Sequence, residues 1–550
     1  MIVNFLQNFK QENKGDKSGT IWSTKNIDPV VNPGKVNISK VLGFRTNTDD
    51  EANLGAAASG FAFTSAFATD RYYAVADDRV WQSASVNPNS GWSEVSSTPT
   101  DCDINSDIIA FNSKIYIATQ NYLKSYTPGD GFANVNGISA VPHSITIFGN
   151  RLYISDNNEN IESMNTSETY VTSGSYTIDL NTTTGQSQLI TKIMDVSNGI
   201  WIATVYTDKS GGEVLFWDGV TENVASARYQ IPRGALAMVI KNDRPYILDS
   251  LGRLKVFDGT DFIEVSRLPI KDETLDNFND NSNDRWIHPN GMIVVNDEIY
   301  CLVRNTMSDS TQDVIENFQS GVWAWNETDG FYCKYTFTNL DIVSGTQKDF
   351  GSSELAQVGA LLQSNATGGS TVDRDDESEI MAGVKYYSDA TTTKAAVAIT
   401  RVIDDIKKGG YFVTAQLSAE KFDESWKEVI AVYDRFKNST DRIYLKFRTY
   451  ESTPVYGTAT WGDDDRITTN IDLSSFSQGD EVEILRGNGS GACYTIRSIN
   501  GTQIRFEETH FTGMSGTCRI RVQKWEKVGV ADTTDETNLR KTFESIPDAW

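Results

Sequence analysis

Asn198-Gly199-Ile200-Trp201-Ile202-Ala203, followed by Phe216-Trp217-Asp218-Gly219, is the stretch on which the fold turns. The first piece places a turn, two variable positions, an aromatic and two apolar residues in a short strand. The second piece ends a neighbouring strand on an aromatic and then Asp-Gly, which supplies the positive φ of a tight hairpin turn. Outward from it the first piece recurs as Asp70-Arg71-Tyr72-Tyr73, Ser113-Lys114-Ile115-Tyr116, Asn150-Arg151-Leu152-Tyr153, Asp243-Arg244-Pro245-Tyr246 and Asp297-Glu298-Ile299-Tyr300. The aromatics Tyr73, Tyr116, Tyr153, Trp201, Tyr246 and Tyr300 are 43, 37, 48, 45 and 54 residues apart. That spacing is the period of a β-propeller blade. The second piece recurs at Val256-Phe257-Asp258-Gly259, at Trp325 with Asp329-Gly330-Phe331 and at Tyr126 with Asp130-Gly131-Phe132, with Trp81 and Gly91-Trp92 as a looser copy. The Tyr153 unit shows no clear second half.

One such unit cannot bury both faces of its sheet, so neighbours must stack around an axis. Six units are legible, and Leu355–Leu362 with Ile380–Tyr387 offer a seventh, with the N-terminal segment as a candidate to close it. The chain therefore reads as all-β: a six- or seven-bladed β-propeller over residues 61–400, with Trp217, Phe257 and Trp325 packed between blades. A run of unrelated hairpins is the alternative. Residues 1–60 read as an extended arm and lead-in strand, with Gly55 to Ser59 as a small-residue connector. Beyond about 401 the repeat stops. Residues 401–475 read as a β-rich connecting domain and 476–530 as a small SH3-like barrel, because short strands there alternate polar and apolar residues between glycine turns. Residues 531–550 read as a tail. The arm and tail are polar and punctuated, as segments that order against neighbouring subunits are. The best helix candidate is short, around Ser425 to Ala431, and it also reads as a strand, Glu428–Tyr433.

Composition sets the remaining bounds. The chain has 550 residues, 39% hydrophobic and 11% aromatic, which is enough for a large core and excludes a mostly disordered protein. Its formal net charge is −25. A surface this acidic repels phosphate backbones, which argues against nucleic-acid binding by charge neutralisation. Before position 400 there are 29 basic and 50 acidic residues, so most of the field belongs to the repeat region. Cys102, Cys301, Cys333, Cys493 and Cys518 form no CxxC pair and suggest neither a disulfide framework nor a zinc site. No apolar run has signal-peptide or membrane-span length, so membrane insertion is not expected.

Chemistry-bearing motifs are few. Gly487-Asn488-Gly489-Ser490-Gly491 lacks the following Lys and helix of a phosphate loop and reads as a hairpin turn. His143, His288 and His510 have no metal-ligand spacing, although His143 and His288 can meet across a propeller axis. Acidic clusters at Asp276–Asp284, Asp373–Glu379 and Asp463–Asp465 make Ca2+ the one candidate ligand, but the Gly and distal Glu of a helix–loop–helix calcium site are missing. A solvated loop is the plainer reading. Arg233, Arg244, Arg253 and Arg285 are present, but the sequence does not place them around a shared sialidase-type pocket; the sialidase box is absent, with Asn89-Ser90-Gly91-Trp92 at best a fragment, and no Gly-x-Ser-x-Gly elbow is present. No catalytic, cofactor or metal site is read, and the chain is not expected to be an enzyme.

The Ile21-Trp22-Ser23…Ile27-Asp28-Pro29…Pro33-Gly34 opening, the Tyr/Trp…Asp-Gly units and the Asp441-Arg442-Ile443-Tyr444-Leu445-Lys446-Phe447-Arg448 strand resemble virion structural proteins of tailed bacteriophages. More narrowly they are similar to propeller-bearing tail proteins such as nozzle proteins. The resemblance implies a non-enzymatic subunit, assembled in the host cytoplasm into the virion tail, whose partners are copies of itself and other tail proteins. It would build a channel for DNA ejection or support host attachment, without sequence-specific binding of nucleic acid. Two other readings stand beside it: an adhesin binding a host surface glycan, and a propeller glycoside hydrolase.

Overall fold

The computed structural model describes most of residues 54–268, 285–304, 320–337, 355–364, 379–401 and 454–531, with shorter stretches within 21–43, 341–348, 411–447 and 538–542. The chain is all-β, built largely from four-stranded antiparallel sheets. The first contains Gly60–Thr64, Arg71–Ala76, Arg79–Ser83 and Trp92–Glu94 in that order. The second contains Asp107–Phe111, Lys114–Ala118, Leu123–Thr127 and Gly131–Asn134. The third begins Pro142–Phe148, Arg151–Asp156, Asn160–Asn165, the fourth runs from Gln188–Val196 to Ala227–Ile231, and the fifth from Ala237–Lys241 to Phe262–Arg267.

The next sheet has eight strands. Ile287–Val295, Glu298–Val303, Gly321–Asn326 and Gly330–Phe337 form one half; Leu355–Ser364, Glu379–Tyr387 and Thr393–Arg401 form the other. Lys40–Gly43 joins them, parallel to Tyr335–Phe337 and antiparallel to Ile399–Arg401. The first strands of successive sheets touch in order, and Leu355–Ser364 touches both Ile287–Val295 and Gly60–Thr64. The series therefore closes on itself, an arrangement compatible with a β-propeller.

Packing between sheets follows from the two aromatics of the repeat. The second-strand aromatic of one sheet meets the third-strand aromatic of the next. Tyr73 lies 5.9 Å from Tyr126, Tyr153 5.6 Å from Trp217, Trp201 5.0 Å from Phe257, and Tyr246 5.6 Å from Trp325. These are the tilted and edge-on contacts that aromatic quadrupoles favour. Two methionines explain where the pattern fades in the sequence. Met164 faces Leu152 across the third sheet as Trp217 faces Ile200 across the fourth, and it is buried beside Tyr116. Glu379 faces Ser364 as Glu298 faces Val295, which puts Met381 where Tyr300 stands; it packs with Tyr72 of the first sheet. An unbranched thioether fills such a gap well but leaves no aromatic signature.

The connector Leu54–Ser59 is small because of what it crosses. A Cβ on Gly359 would lie 1.9 Å from the Ala58 carbonyl oxygen, and one on Gly383 2.4 Å from it. Ala360 N–H also donates to that oxygen at 2.7 Å. Gly359→Ala is expected to lower stability by about 1–3 kcal/mol through forced displacement of this strap. An unchanged urea midpoint would contradict the close approach.

Several expectations are sharpened or corrected. Of the two readings of the stretch around Ser425 to Ala431, the strand holds: Glu428–Val432 pairs with Asn538–Thr542. Among the described residues a short helix is found at Leu180–Thr184, capped by the Asp179 carboxylate and closed by Gly185 at φ 67°. Parts of the arm and tail pair within the chain: Ile21–Lys25 with Tyr411–Thr414 and Asn538–Thr542 as above, while Lys40–Gly43 lies inside the eight-stranded sheet, in keeping with the N-terminal segment as a candidate to close it. Main-chain pairing needs no apolar signature, so polar segments of this kind are invisible to hydrophobic patterning. A closed six-stranded barrel takes in Val455–Asp463 and Arg466–Thr469, strands expected in the connecting domain, besides those up to Thr517–Gln523. Its Glu481-Val482-Glu483-Ile484-Leu485-Arg486 strand is buried throughout, so the alternation of polar and apolar residues does not separate water from core there. Glu481 pairs with Lys446 at 2.7 Å, and Glu483 with Arg521.

Candidate functional site

The first strands carry their irregularities at their starting ends. Register shifts fall between Pro142 and Ile145, between Ile190 and Lys192, and between Ile287 and Met292. Extra residues at a bulge re-aim side chains. His143 and Ser144, Thr191, and His288 to Asn290 all fall in these shifts, and all line one cavity of about 80 Å³, together with Asn105, Asp107 and Arg285. The cavity thus sits where the first strands of several sheets converge.

A polar network braces its wall. Asp107 Oδ2 accepts from Ile145 N at 3.2 Å and from Lys192 Nζ at 3.3 Å, and its Oδ1 accepts from Asn290 Nδ2 at 3.1 Å. Asn290 also donates to the Ser59 carbonyl at 2.9 Å and accepts from Lys192. First strands from four sheets, and the connector at Ser59 that leads into the first strand of a fifth, are tied together in this way. The Lys192 and Asp107 side chains are only 14% and 9% exposed, so their mutual attraction is weakly screened.

His288 is fixed at both nitrogens. Asn290 N–H donates to Nδ1 at 3.1 Å, which leaves the proton on Nε2, facing the Ile104 carbonyl oxygen at 2.7 Å. Burial, opposed by that carbonyl, pushes its pKa down to about 3, with Arg285 and Lys192 adding to the fall. A histidine held neutral in the fold and free to protonate when unfolded stabilises the protein above about pH 6.5 and stops doing so as pH falls toward 3. His288→Gln is therefore expected to flatten the stability profile between pH 6.5 and 5, above the carboxylate range. A parallel profile in urea titrations of wild type and variant would contradict this. His143 is likewise held below its ordinary value by burial, partly offset by Asp103.

The structure places the repeat aromatics Tyr73, Tyr116, Tyr153, Trp201, Tyr246, Tyr300, Trp217 and Trp325 in the buried interior, with Phe257 half-buried beside Trp201. It brings His143 and His288 to the same cavity, but not the arginines: Arg253 pairs with Asp249 at 2.6 Å, and only Arg285 lines the cavity. Clusters Asp276–Asp284 and, up to Ser378, Asp373–Glu379 lie outside the described residues, as does His510. Asp463 and Asp465 pair with Arg466 and Arg505. Among the described residues no three His, Cys, Asp or Glu side chains are grouped to hold a metal, and no helix is long and apolar enough to cross a membrane. None of the five cysteines forms a disulfide, and Cys493 is half-buried and the others buried. Asp107, Lys192 and Asn290 were not legible as a site. Their only signal is a polar residue at the start of an otherwise apolar strand.

No family model matches the chain, and neither does any curated protein. Among solved structures it is similar to the computationally designed Ika8 protein, at 9% identity and a TM-score of 0.37, over 66% of this chain and 100% of that one. It is also similar to the extracellular domain of the hybrid two component system BT4673 from B. thetaiotaomicron, at 8% identity and 0.39, over 84% of this chain and 48% of that one. The chain thus spans about half of that protein's length. A third is the S. cerevisiae Dbp5 assembly with Nup159 and Gle1, at 11% identity and 0.36, over 66% and 96%. At such TM-scores none of these likenesses bears on what the chain does.

Proposed function

We propose that the chain is a non-enzymatic structural protein of a bacteriophage virion, a tail component that builds the channel or supports host attachment. In this reading it is a seven-bladed propeller. Lys40–Gly43 completes the last blade, and a small SH3-like barrel follows. The observation that carries the reading is the braced axis. Asp107, Lys192 and Asn290 spend their hydrogen-bonding capacity on one another and on main chain, which is what a rigid building block needs. A cavity of about 80 Å³ has no room for a duplex, so any DNA passage is formed between copies of the subunit rather than through one propeller. The resemblance of the opening, the repeated units and the 441–448 strand to tail proteins supports the same conclusion.

The acidic repeat region fits this role, because an acidic wall keeps a polyanion from adhering during release. Reversing several channel-facing Asp and Glu residues to Lys is expected to slow DNA release at low salt, and less so as salt screens the attraction. Normal release kinetics in intact particles would leave the charge only a solubility role. The isolated protein is expected to leave chromogenic glycosides intact. Turnover by purified wild type would replace this reading with the hydrolase.

One observation favours a second reading, the glycan-binding adhesin. Tyr122 is 50% exposed, next to Asn121 and with Lys124 Nζ 5.5 Å from its ring centroid. An exposed aromatic with polar neighbours is a platform for a sugar face.

A further inference from the structure

The residues that brace the axis come from first strands of three different sheets: Asp107 from the second, Lys192 from the fourth and Asn290 from the sixth. Together they are an amine, an amide carbonyl and a carboxylate in mutual contact. Lys192 Nζ touches Asn290 Oδ1, which puts the amine one carbonyl bond away from the Cγ carbon. The amide is fixed from its other side, where Nδ2 donates to the Ser59 carbonyl oxygen at 2.9 Å and to Asp107 Oδ1 at 3.1 Å. A main-chain carbonyl can only accept, so the network itself turns Nδ2 toward Ser59 and Oδ1 toward the lysine. Asp107 spans the pair: Oδ1 is at the amide nitrogen, and Oδ2 is 3.3 Å from the amine. The Lys192 and Asp107 side chains are largely shielded from water.

We propose that Lys192 and Asn290 join in an intramolecular isopeptide bond, with Asp107 as the acid–base group. Asp107 takes a proton from the Lys192 ammonium, and the lone pair so freed attacks Asn290 Cγ. The Nζ–Cγ bond forms and the Cγ–Nδ2 bond breaks. The two protons that Nζ sheds pass through Asp107 to Nδ2, which leaves as ammonium, and Asp107 ends as the carboxylate it began as. No oxidant and no further reactant is needed. An amine and an unactivated amide are inert toward each other in dilute solution; fixing both in contact supplies an effective molarity of up to about 10⁵–10⁸ M, and a positioned carboxylate adds general acid–base catalysis. Shielding from water also protects the reacting carbon from hydrolysis.

The bond ties the first strand of the fourth sheet to that of the sixth, so that the ring is held there by more than hydrogen bonds. A second set of the same residue types lacks the decisive contact. Glu298 receives Lys334 Nζ and Asn326 Nδ2, but Asn326 Oδ1 is taken up by the main-chain N–H groups of Thr328 and Asp329. Lys334 and Asn326 are therefore expected to remain unlinked, an internal control.

The test is intact-mass spectrometry of the purified full chain, followed by tandem mass spectrometry of its protease digest. The expected mass is that of the sequence less one ammonia, and the digest should contain a branched peptide joining Lys192 to Asn290. Lys192→Met and Asp107→Asn should each show the full mass of their own sequences. A wild-type chain that keeps its full mass after prolonged incubation overturns the bond, whether or not the variants fold. Asn290 precedes Gly291, and a succinimide formed from Asn290 alone also loses one ammonia. Loss that persists in Lys192→Met, or that falls in an unbranched peptide containing Asn290 and Gly291, is that side reaction and overturns the bond as well. A branched peptide that still forms in Asp107→Asn overturns the part given to Asp107.

Discussion

Trp217→Ala and Trp325→Ala are each expected to lower stability by about 3–5 kcal/mol, read as a shift of the denaturant midpoint. Trp217 is 0% exposed and Trp325 4%, and each meets the second-strand aromatic of the preceding sheet. Truncation removes the transfer free energy of an indole and leaves a cavity between two sheets that backbone pairing holds apart. Trp217 also donates from Nε1 to the Thr221 carbonyl at 2.8 Å, so its loss leaves that hairpin turn without an anchor. Trp217→Phe should retain more than half of the stability lost in Trp217→Ala. If both alanine variants unfold at the wild-type midpoint, the register that places these residues between sheets is wrong.

The second large effect is at the axis. Lys192→Met is expected to cost about 3–5 kcal/mol, because it strands the buried Asp107 carboxylate with fewer partners. Adding Asp107→Asn to Lys192→Met should recover part of that loss, since the uncompensated charge disappears while the amide oxygen keeps one of the two donors, Asn290 Nδ2 or Ile145 N. The coupling read from the double-mutant cycle should exceed about 1 kcal/mol, well above the value for an exposed pair. Additive effects of the two substitutions would show that the network does not tie the sheets together.

The units from Tyr73 to Tyr300 were legible because each places its aromatic at the same point of a second strand, and packing demands a large ring there. Legibility failed where chemistry other than an aromatic met the same demand. Met164 and Met381 fill equivalent positions without a sequence signature. It failed again where main-chain pairing alone decides the structure, as at Ile21–Lys25 and Asn538–Thr542. The axial site was half visible. His143 and His288 were candidates to meet, but Asp107 and Lys192, which join Asn290 in bracing the same wall, come from other sheets, and only closure of the ring juxtaposes them. The register shifts that aim them leave one to three extra residues in strands otherwise indistinguishable from their neighbours.

The account stands or falls on where the protein resides in its biological setting. Gradient-purified phage particles, analysed by quantitative mass spectrometry against the portal protein, give the most direct measurement. The account predicts this chain in a fixed ratio of several copies per particle, retained through repeated purification and found in isolated tails. Absence from particles, or a trace amount that varies between preparations, would contradict it.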